Sequence, residues 1–248
     1  KVGPRSQGSG LVLLFHKLGY FDGSIGDWGF HKGGNGGFTQ AVARAAQAFG
    51  CEIRLNAGVS EVITKNGEAI GVALQNGDEL YGDTIISALD PRRTFLQLVE
   101  PRDLPTDLVE TIEKFKFQGV SSKVNFALDG LPEYPTLPGR TDIFRGFMNI
   151  GPTVDYIERA FDDAKYGWYS KRPYIDCAIQ STIDPDMSPP GKHIMSCFVQ
   201  YTPYKLKGSD WDTERENLGD TVQATLTEFF PNFSDLVLHR EVVTPLDI

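Results

Sequence analysis

The chain has 248 residues, enough for one large domain or two small ones, and 40% of them are hydrophobic, which suffices for a core. Its formal net charge of −9 argues against a nucleic-acid partner, because phosphates would be repelled. The three cysteines, Cys51, Cys177 and Cys197, form neither a metal signature nor a disulfide framework, which fits a reducing compartment or simple burial. No apolar run approaches the roughly 20 residues of a membrane span.

Residues 1–32 open with turn formers and continue into an apolar run over residues 11–18. Trp28, Phe30 and His31 then lead into a glycine-rich turn. Aromatic side chains in this position fit either core packing or the wall of an apolar pocket. Both interpretations stay open from the residues alone.

The glycine turn has the sequence Gly33-Gly34-Asn35-Gly36-Gly37, which can take backbone angles closed to other residues. It opens a segment, residues 38–49, whose apolar side chains recur at helical spacing, and Gly50 follows as a C-cap. A helix that begins behind a flexible glycine turn has free N–H groups and the positive end of its dipole there. Such an end can approach an anion or a flat ligand closely.

Short strands follow the predicted helix. Residues 51–55 alternate in polarity, and residues 59–65 and 69–75 flank Asn66-Gly67, a strong signal for a two-residue hairpin. Asn76-Gly77 predicts a second turn into residues 79–81. Residues 84–88 are apolar throughout, which is typical of a strand buried on both faces. Asp90-Pro91 then ends this strand and favours a helix start, with Asp90 as the cap.

The rest of the chain predicts alternating helices and strands. We expect helices over residues 92–99, 107–115, 153–164 and 211–230, and strands over residues 120–128, 143–150, 174–180, 193–201 and 236–243. A proline-rich loop is expected over residues 183–192. Runs of strands with helices on one side indicate an α+β arrangement. We place a domain boundary near Glu100, which gives domains of residues 1–100 and 101–248.

No catalytic or metal-binding set emerges from spacing. The four histidines, His16, His31, His193 and His239, lack the spacing of metal ligands, so no metal site is predicted. Tyr201 and Lys205 match a pattern used by some dehydrogenases, but Pro203 breaks the helical turn that this chemistry needs. We therefore name no catalytic residue.

Residues 32–91 resemble a known protein family. The resemblance rests on the order of several motifs and not on any single motif. They read KGGNGGFTQAVARAAQAFGCEIRLNAGVSEVITKNGEAIGVALQNGDELYGDTIISALDP. This stretch resembles the middle of phytoene desaturase-type flavoproteins, a family that also holds carotenoid isomerases, retinol saturases and pyridine nucleotide-disulfide oxidoreductase-domain proteins. Three further segments are most similar to the last branch: GSGLVLLFHKLG, IDPDMSPPGKH and FVQYTPYKLKG.

The resemblance implies the fold class α/β and α+β. Residues 1–100 would form part of an FAD-binding domain, Rossmann-like with a β-meander, and residues 101–248 a mixed-sheet substrate domain. We expect the chain to be an internal segment of a longer flavoenzyme, which carries the GxGxxG motif and the C-terminal flavin segment elsewhere. The expected location is cytoplasmic, with the mitochondrial matrix as the alternative.

The resemblance also implies site residues. Val59 matches the position whose backbone meets the adenine end of FAD, and Ser87-Ala88 match the strand end near the ribose and pyrophosphate. Three glycines would lie near the isoalloxazine ring, where the two domains meet: Gly33, Gly34 and Gly36. Trp28 and Phe30 would line the substrate pocket.

The implied reaction is hydride transfer between flavin and an apolar substrate, of polyene or isoprenoid type. The complete protein would hold FAD, whereas this chain alone is expected to be empty and inactive. Two alternatives stay open: a regulatory or scaffolding relative without turnover, and a flavin amine oxidase. Peripheral membrane association and a homodimer also stay open.

Overall fold

The computed structural model describes residues 3–16, 18–21, 23–25, 29–116 and 119–248. The chain divides into two compact units. We call Lys1–Val42 with Gln118–Ile248 the large unit, and Ala43–Phe117 the meander unit. The first residues belong to the large unit because they pack on it: Gly3 abuts the Phe161 ring, and the Arg5 N–H donates to Glu158 at 3.0 Å. The boundary near Glu100 stays a prediction for the complete protein.

The meander unit is built on a three-stranded antiparallel sheet. Its strands are β3 (Val59–Lys65), β4 (Glu68–Leu74) and β5 (Glu79–Tyr81), in that spatial order. The hairpin predicted at Asn66-Gly67 is confirmed, since both residues have positive φ angles, 54° and 81°, as a type I′ turn requires. Val62 and Leu74 are the buried apolar side chains of this sheet.

Two predicted strands of this unit are wrong. Residues 51–55 and 84–88 form neither helix nor strand and belong to no described sheet. Their apolar side chains are exposed instead of buried: Leu55 keeps 82% of its surface accessible and Ile86 keeps 88%. The apolar pattern is that of a strand covered on both faces, and the described chain supplies neither the neighbouring strands nor the cover.

The helix start predicted at Asp90-Pro91 is confirmed. The Asp90 carboxylate accepts from the Arg93 N–H at 3.0 Å, with Pro91 in the first position of α3 (Pro91–Arg93). The helix continues as a π-helical turn over Thr94–Leu98, followed by a 3₁₀ turn over Pro101–Asp103 and by α4 (Thr106–Lys114).

The large unit is built on a five-stranded sheet in the order β10-β6-β9-β8-β7. The strands are β6 (Ser121–Leu128), β7 (Met148–Ile150), β8 (Tyr174–Ala178), β9 (His193–Gln200) and β10 (Val237–Val243). Alternate residues of β6, among them Val124, Phe126 and Leu128, are buried on one face. The long helix α6 (Trp211–Phe229) supplies the other side of this core through Leu218, Val222 and Leu226.

The sheet of the large unit is antiparallel in every described pairing, which corrects the predicted mixed sheet. The connection through α6 makes β10 run in the same direction as β9. However, β6 lies between these two strands and runs antiparallel to both, so no parallel pair forms.

The remaining elements belong to the large unit, except that the sequence of α2 continues from the large unit into the meander unit. They are α1 (Ser9–His16), the hairpin β1 (Tyr20–Phe21) and β2 (Ser24–Ile25), α2 (Gly34–Ala48), α5 (Val154–Lys165) and α7 (Phe233–Leu236). The predicted helix behind the glycine turn is confirmed as α2, and Gly50 ends it with a φ of 86°. Among the described helices, none is both long and apolar enough to cross a membrane.

Candidate cofactor site

Val59 lies at the first position of β3, where the strand is irregular. It is half-buried and faces Leu74 across the sheet, and the register shifts between Val59 and Glu61. The extra residue, Ser60, donates its hydroxyl to the Ala73 carbonyl at 3.1 Å. A β-bulge of this kind bends the strand and increases its twist. The end of β3 that the resemblance assigns to the adenine therefore departs from regular strand pairing.

Ser87 and Ala88 lie in the segment of residues 84–88, which pairs with no described strand, and both are exposed. The Ser87 hydroxyl is 2.7 Å from the Thr94 hydroxyl, and it also accepts from the Leu89 N–H at 3.3 Å. Thr94 is buried. These bonds hold the end of the segment against the start of the following helix. Thr94 was missed by sequence reasoning, and the only signal for it was a hydroxyl residue shortly after the Asp90-Pro91 cap.

The elements that carry Val59 and Ser87 pack together within the meander unit. The π-helical turn that begins at Thr94 packs on β3. The Thr64 hydroxyl of β3 donates to the Asp103 carboxylate at 2.6 Å, which adds a second link. The structure thus brings Val59, Ser87 and Ala88 into one unit. Their joint contact with one ligand stays a prediction.

The glycine turn belongs to the large unit, and its glycines are required for different reasons. Gly33 and Gly34 have φ angles of 78° and 65°, which other residues adopt only with strain. Gly37 is required by space, because an added Cβ would lie 2.3 Å from the Lys32 carbonyl oxygen. At Gly36 an added Cβ would meet no atom within 4 Å. The open side of the turn is therefore at Gly36.

Two N–H groups at the start of the turn, those of Gly33 and Gly34, are already hydrogen-bonded and are not the free donors expected there. The Gly33 N–H donates to the Asp184 carboxylate at 2.7 Å, and the Gly34 N–H donates to the His31 carbonyl at 2.9 Å. Asp184 lies 151 residues away in sequence and is buried. It is the second residue that sequence reasoning missed.

The predicted pocket aromatics are only partly accounted for. Phe30 is half-buried and stacks on Phe147, with ring centroids 5.6 Å apart and an interplanar angle of 24°. This contact fits core packing and also the wall of a pocket, so the role of Phe30 stays a prediction. Trp28 lies outside the described residues.

Burial shapes two sets of described titratable side chains in the large unit. His193 Nδ1 lies 2.9 Å from the Ser181 hydroxyl, and burial lowers the pKa of its imidazole. Cys177 and Cys197 face each other across β8 and β9 as buried free thiols, where burial and the neighbouring thiol raise the pKa of Cys197. Among the described residues, no group of three or more His, Cys, Asp or Glu side chains could hold a metal ion.

The meander unit has accessible backbone groups and exposed apolar side chains. Residues 84–88 present backbone groups that no described strand uses, and the small side chains of Ser87 and Ala88 allow close approach. Large apolar side chains beside them, Ile86 and Leu89, are exposed, and Phe49 at the end of α2 keeps 93% of its surface accessible. Large contiguous patches of exposed apolar side chains are typical of surfaces that bind a ligand or another protein.

Comparison with known proteins gives one family. The family model described as "Flavin containing amine oxidoreductase" matches residues 4–240. "Pyridine nucleotide-disulfide oxidoreductase domain-containing protein 2" of Rattus norvegicus is 35% identical over 254 residues, which is 99% of this chain and 44% of that protein. "Prolycopene isomerase, chloroplastic" of Daucus carota is 27% identical over 233 residues, 90% of this chain and 34% of that protein. The chain thus spans less than half the length of these relatives.

A solved structure shows the same fold. An oxidoreductase from Methanosarcina mazei superposes with a TM-score of 0.58 at 19% sequence identity, over 85% of this chain and 42% of that one. This likeness, together with the meander and the α+β unit, confirms the predicted fold class, α/β and α+β.

Proposed function

The chain belongs to the family of flavin-containing amine oxidoreductases, and from that premise we propose that the complete protein is an FAD-dependent oxidoreductase acting on an apolar polyene or isoprenoid substrate. The observation that carries the proposal is the family match over residues 4–240, which includes every residue of the candidate cofactor site. FAD, when bound, would supply the hydride chemistry, and the residues of this chain would supply its position and a dry environment.

The proposed roles follow the local geometry. The backbone at Val59, beside the bulge, would hold the adenine end of FAD, and a β-branched side chain there is stiff. Ser87 and Ala88 would lie along the ribose and pyrophosphate, since their small exposed side chains leave the backbone accessible. The glycine turn, open at Gly36, would face the ring.

The substrate class is proposed from the relatives' names and from the aromatic residues. A prolycopene isomerase, whose printed name denotes a polyene, matches 90% of the chain. Phe30 and Phe147 provide an apolar stacked pair in the large unit. Amines are the second candidate class, because the family description itself names amine oxidoreductases.

The experiment is spectroscopic. The complete protein is purified, supplemented with FAD, desalted and scanned for flavin absorbance. We expect a retained flavin spectrum that bleaches anaerobically on addition of a reduced polyene. Release of hydrogen peroxide with amines, without bleaching by polyenes, would favour the second class. A colourless protein after FAD addition would contradict the proposal as a whole.

A further inference from the structure

The loop over residues 184–187, which reads Asp-Pro-Asp-Met, closes on the glycine turn within the large unit. The Asp184 carboxylate accepts from the Gly33 N–H at 2.7 Å. The Met187 Cε atom would lie 3.2 Å from a Cβ on Gly34, so the loop touches the turn at a second point. Asp186 reaches Lys32 at 3.5 Å, but both of these side chains are largely exposed.

The loop is fixed before it meets the turn. The Asp184 N–H donates to the Gln180 carbonyl at 2.9 Å, and the Met187 N–H donates back to the Asp184 carbonyl at 3.1 Å across a 3₁₀ turn. Only 9% of the Asp184 surface is accessible. The fold itself therefore places this carboxylate at the start of α2.

A carboxylate in this position interacts favourably with the positive end of the helix dipole. The N-terminus of a helix carries roughly half a positive charge, and charge-assisted hydrogen bonds to its N–H groups are stronger than neutral ones. Asp184 satisfies one such donor and compensates the partial charge. A second anion brought to this end would meet a buried negative charge at close range, so the α2 N-terminus is a poor site for the cofactor's phosphates.

We propose that Asp184 is a positioning residue that locks the glycine turn and sets a fixed negative charge beside the flavin ring, which the proposed function places against this turn. This inference rests on the proposed function for the identity of the cofactor. It gives the Asp-Pro-Asp-Met loop a role that neither the family match nor the comparisons assign. It also has an electrostatic consequence, because a fixed negative charge near the ring disfavours the reduced, anionic flavin.

The test compares three variants of the complete protein. Asp184→Ala removes the acceptor, Asp184→Asn keeps an acceptor oxygen but removes the charge, and Asp186→Asn is the matched control in the same loop. Deuterium exchange is followed on the peptide covering residues 29–37, with and without FAD. The flavin midpoint potential is measured by reductive titration with a reference dye.

We expect at least tenfold faster exchange at Gly33 in Asp184→Ala, near wild-type exchange in Asp184→Asn, and no change in Asp186→Asn. We also expect a higher midpoint potential in Asp184→Asn than in wild type or the control. Unchanged exchange in Asp184→Ala would overturn the locking role. An unchanged potential in Asp184→Asn, with FAD bound, would overturn the placement of the charge beside the ring. Failure of the wild-type protein to bind FAD would count against the proposed function, while the exchange data would still decide the role of Asp184.

Discussion

Two adjacent glycines at the start of α2 should respond in opposite directions to the same substitution. A Cβ added at Gly36 meets no atom within 4 Å. Alanine is also favoured over glycine in a helix, so we expect Gly36→Ala to stabilise the large unit by about 0.5 kcal/mol. A Cβ added at Gly37 lies 2.3 Å from the Lys32 carbonyl oxygen, and this backbone contact can be relieved only by moving the turn.

The cost of that movement follows from the bonds it breaks. The turn is held by the Gly34 N–H on His31 at 2.9 Å and by the Gly33 N–H on the Asp184 carboxylate at 2.7 Å. A neutral hydrogen bond contributes about 1 kcal/mol and one to a charged group about 1.5–3 kcal/mol. After subtracting about 0.5–1 kcal/mol for the better helix propensity of alanine, Gly37→Ala should destabilise the unit by about 1.5–3.5 kcal/mol.

Urea unfolding followed by tryptophan fluorescence measures the difference in stability between Gly36→Ala and Gly37→Ala in the large unit. Trp168 and Trp211 lie in the described part of the large unit, as does the glycine turn. The two variants should shift the midpoint in opposite directions from wild type at an unchanged slope. A Gly37→Ala midpoint at or above that of wild type would refute the packing argument, and equal losses in both variants would refute the contrast between the two sites.

Three further outcomes are expected. Leu218→Ala, in the core face of α6, should cost about 3 kcal/mol in urea unfolding, whereas Leu238→Ala, 56% exposed on β10, should stay within about 0.5 kcal/mol of wild type. Arg215 and Thr244 lower the pKa of the Asp247 carboxyl, so its stabilising effect is present above the unfolded pKa near 4 and is lost as pH falls. Asp247→Asn should therefore cost about 1 kcal/mol at pH 7, after allowance for solvent screening, and the gap to wild type should close in unfolding titrations below pH 4. Ser87→Ala should lower the free energy of unfolding of the meander unit, followed by circular dichroism, by about 1 kcal/mol, because the buried Thr94 hydroxyl loses its partner at 2.7 Å. A loss of stability no larger than that of the control variant Ser60→Ala would contradict this.

Local signals in the sequence predicted the local features of the fold. Asn66-Gly67 predicted its hairpin because few residue pairs tolerate two positive φ angles. Asp90-Pro91 predicted its helix start because the cap needs only residues three positions apart. The periodicity of α6 predicted its buried face through Leu218, Val222 and Leu226.

Features that depend on distant partners could not be predicted. The contact of Asp184 with Gly33 joins residues 151 positions apart, and no local pattern encodes it. The antiparallel sheet depends on which strand lies between β9 and β10, which side-chain alternation does not specify. Residues 84–88 have the composition of a buried strand, but a strand also needs a neighbour, and the described chain offers none.

Photolabelling of the complete protein with 8-azidoadenine FAD tests most directly the claim that this chain holds the cofactor along its meander unit. Trypsin cleaves after Arg54 and Lys65, so Val59 is released in the peptide of residues 55–65. We predict that this peptide carries the label and that excess FAD prevents the labelling. Protectable label confined to other peptides, with residues 55–65 unmodified, would contradict the account.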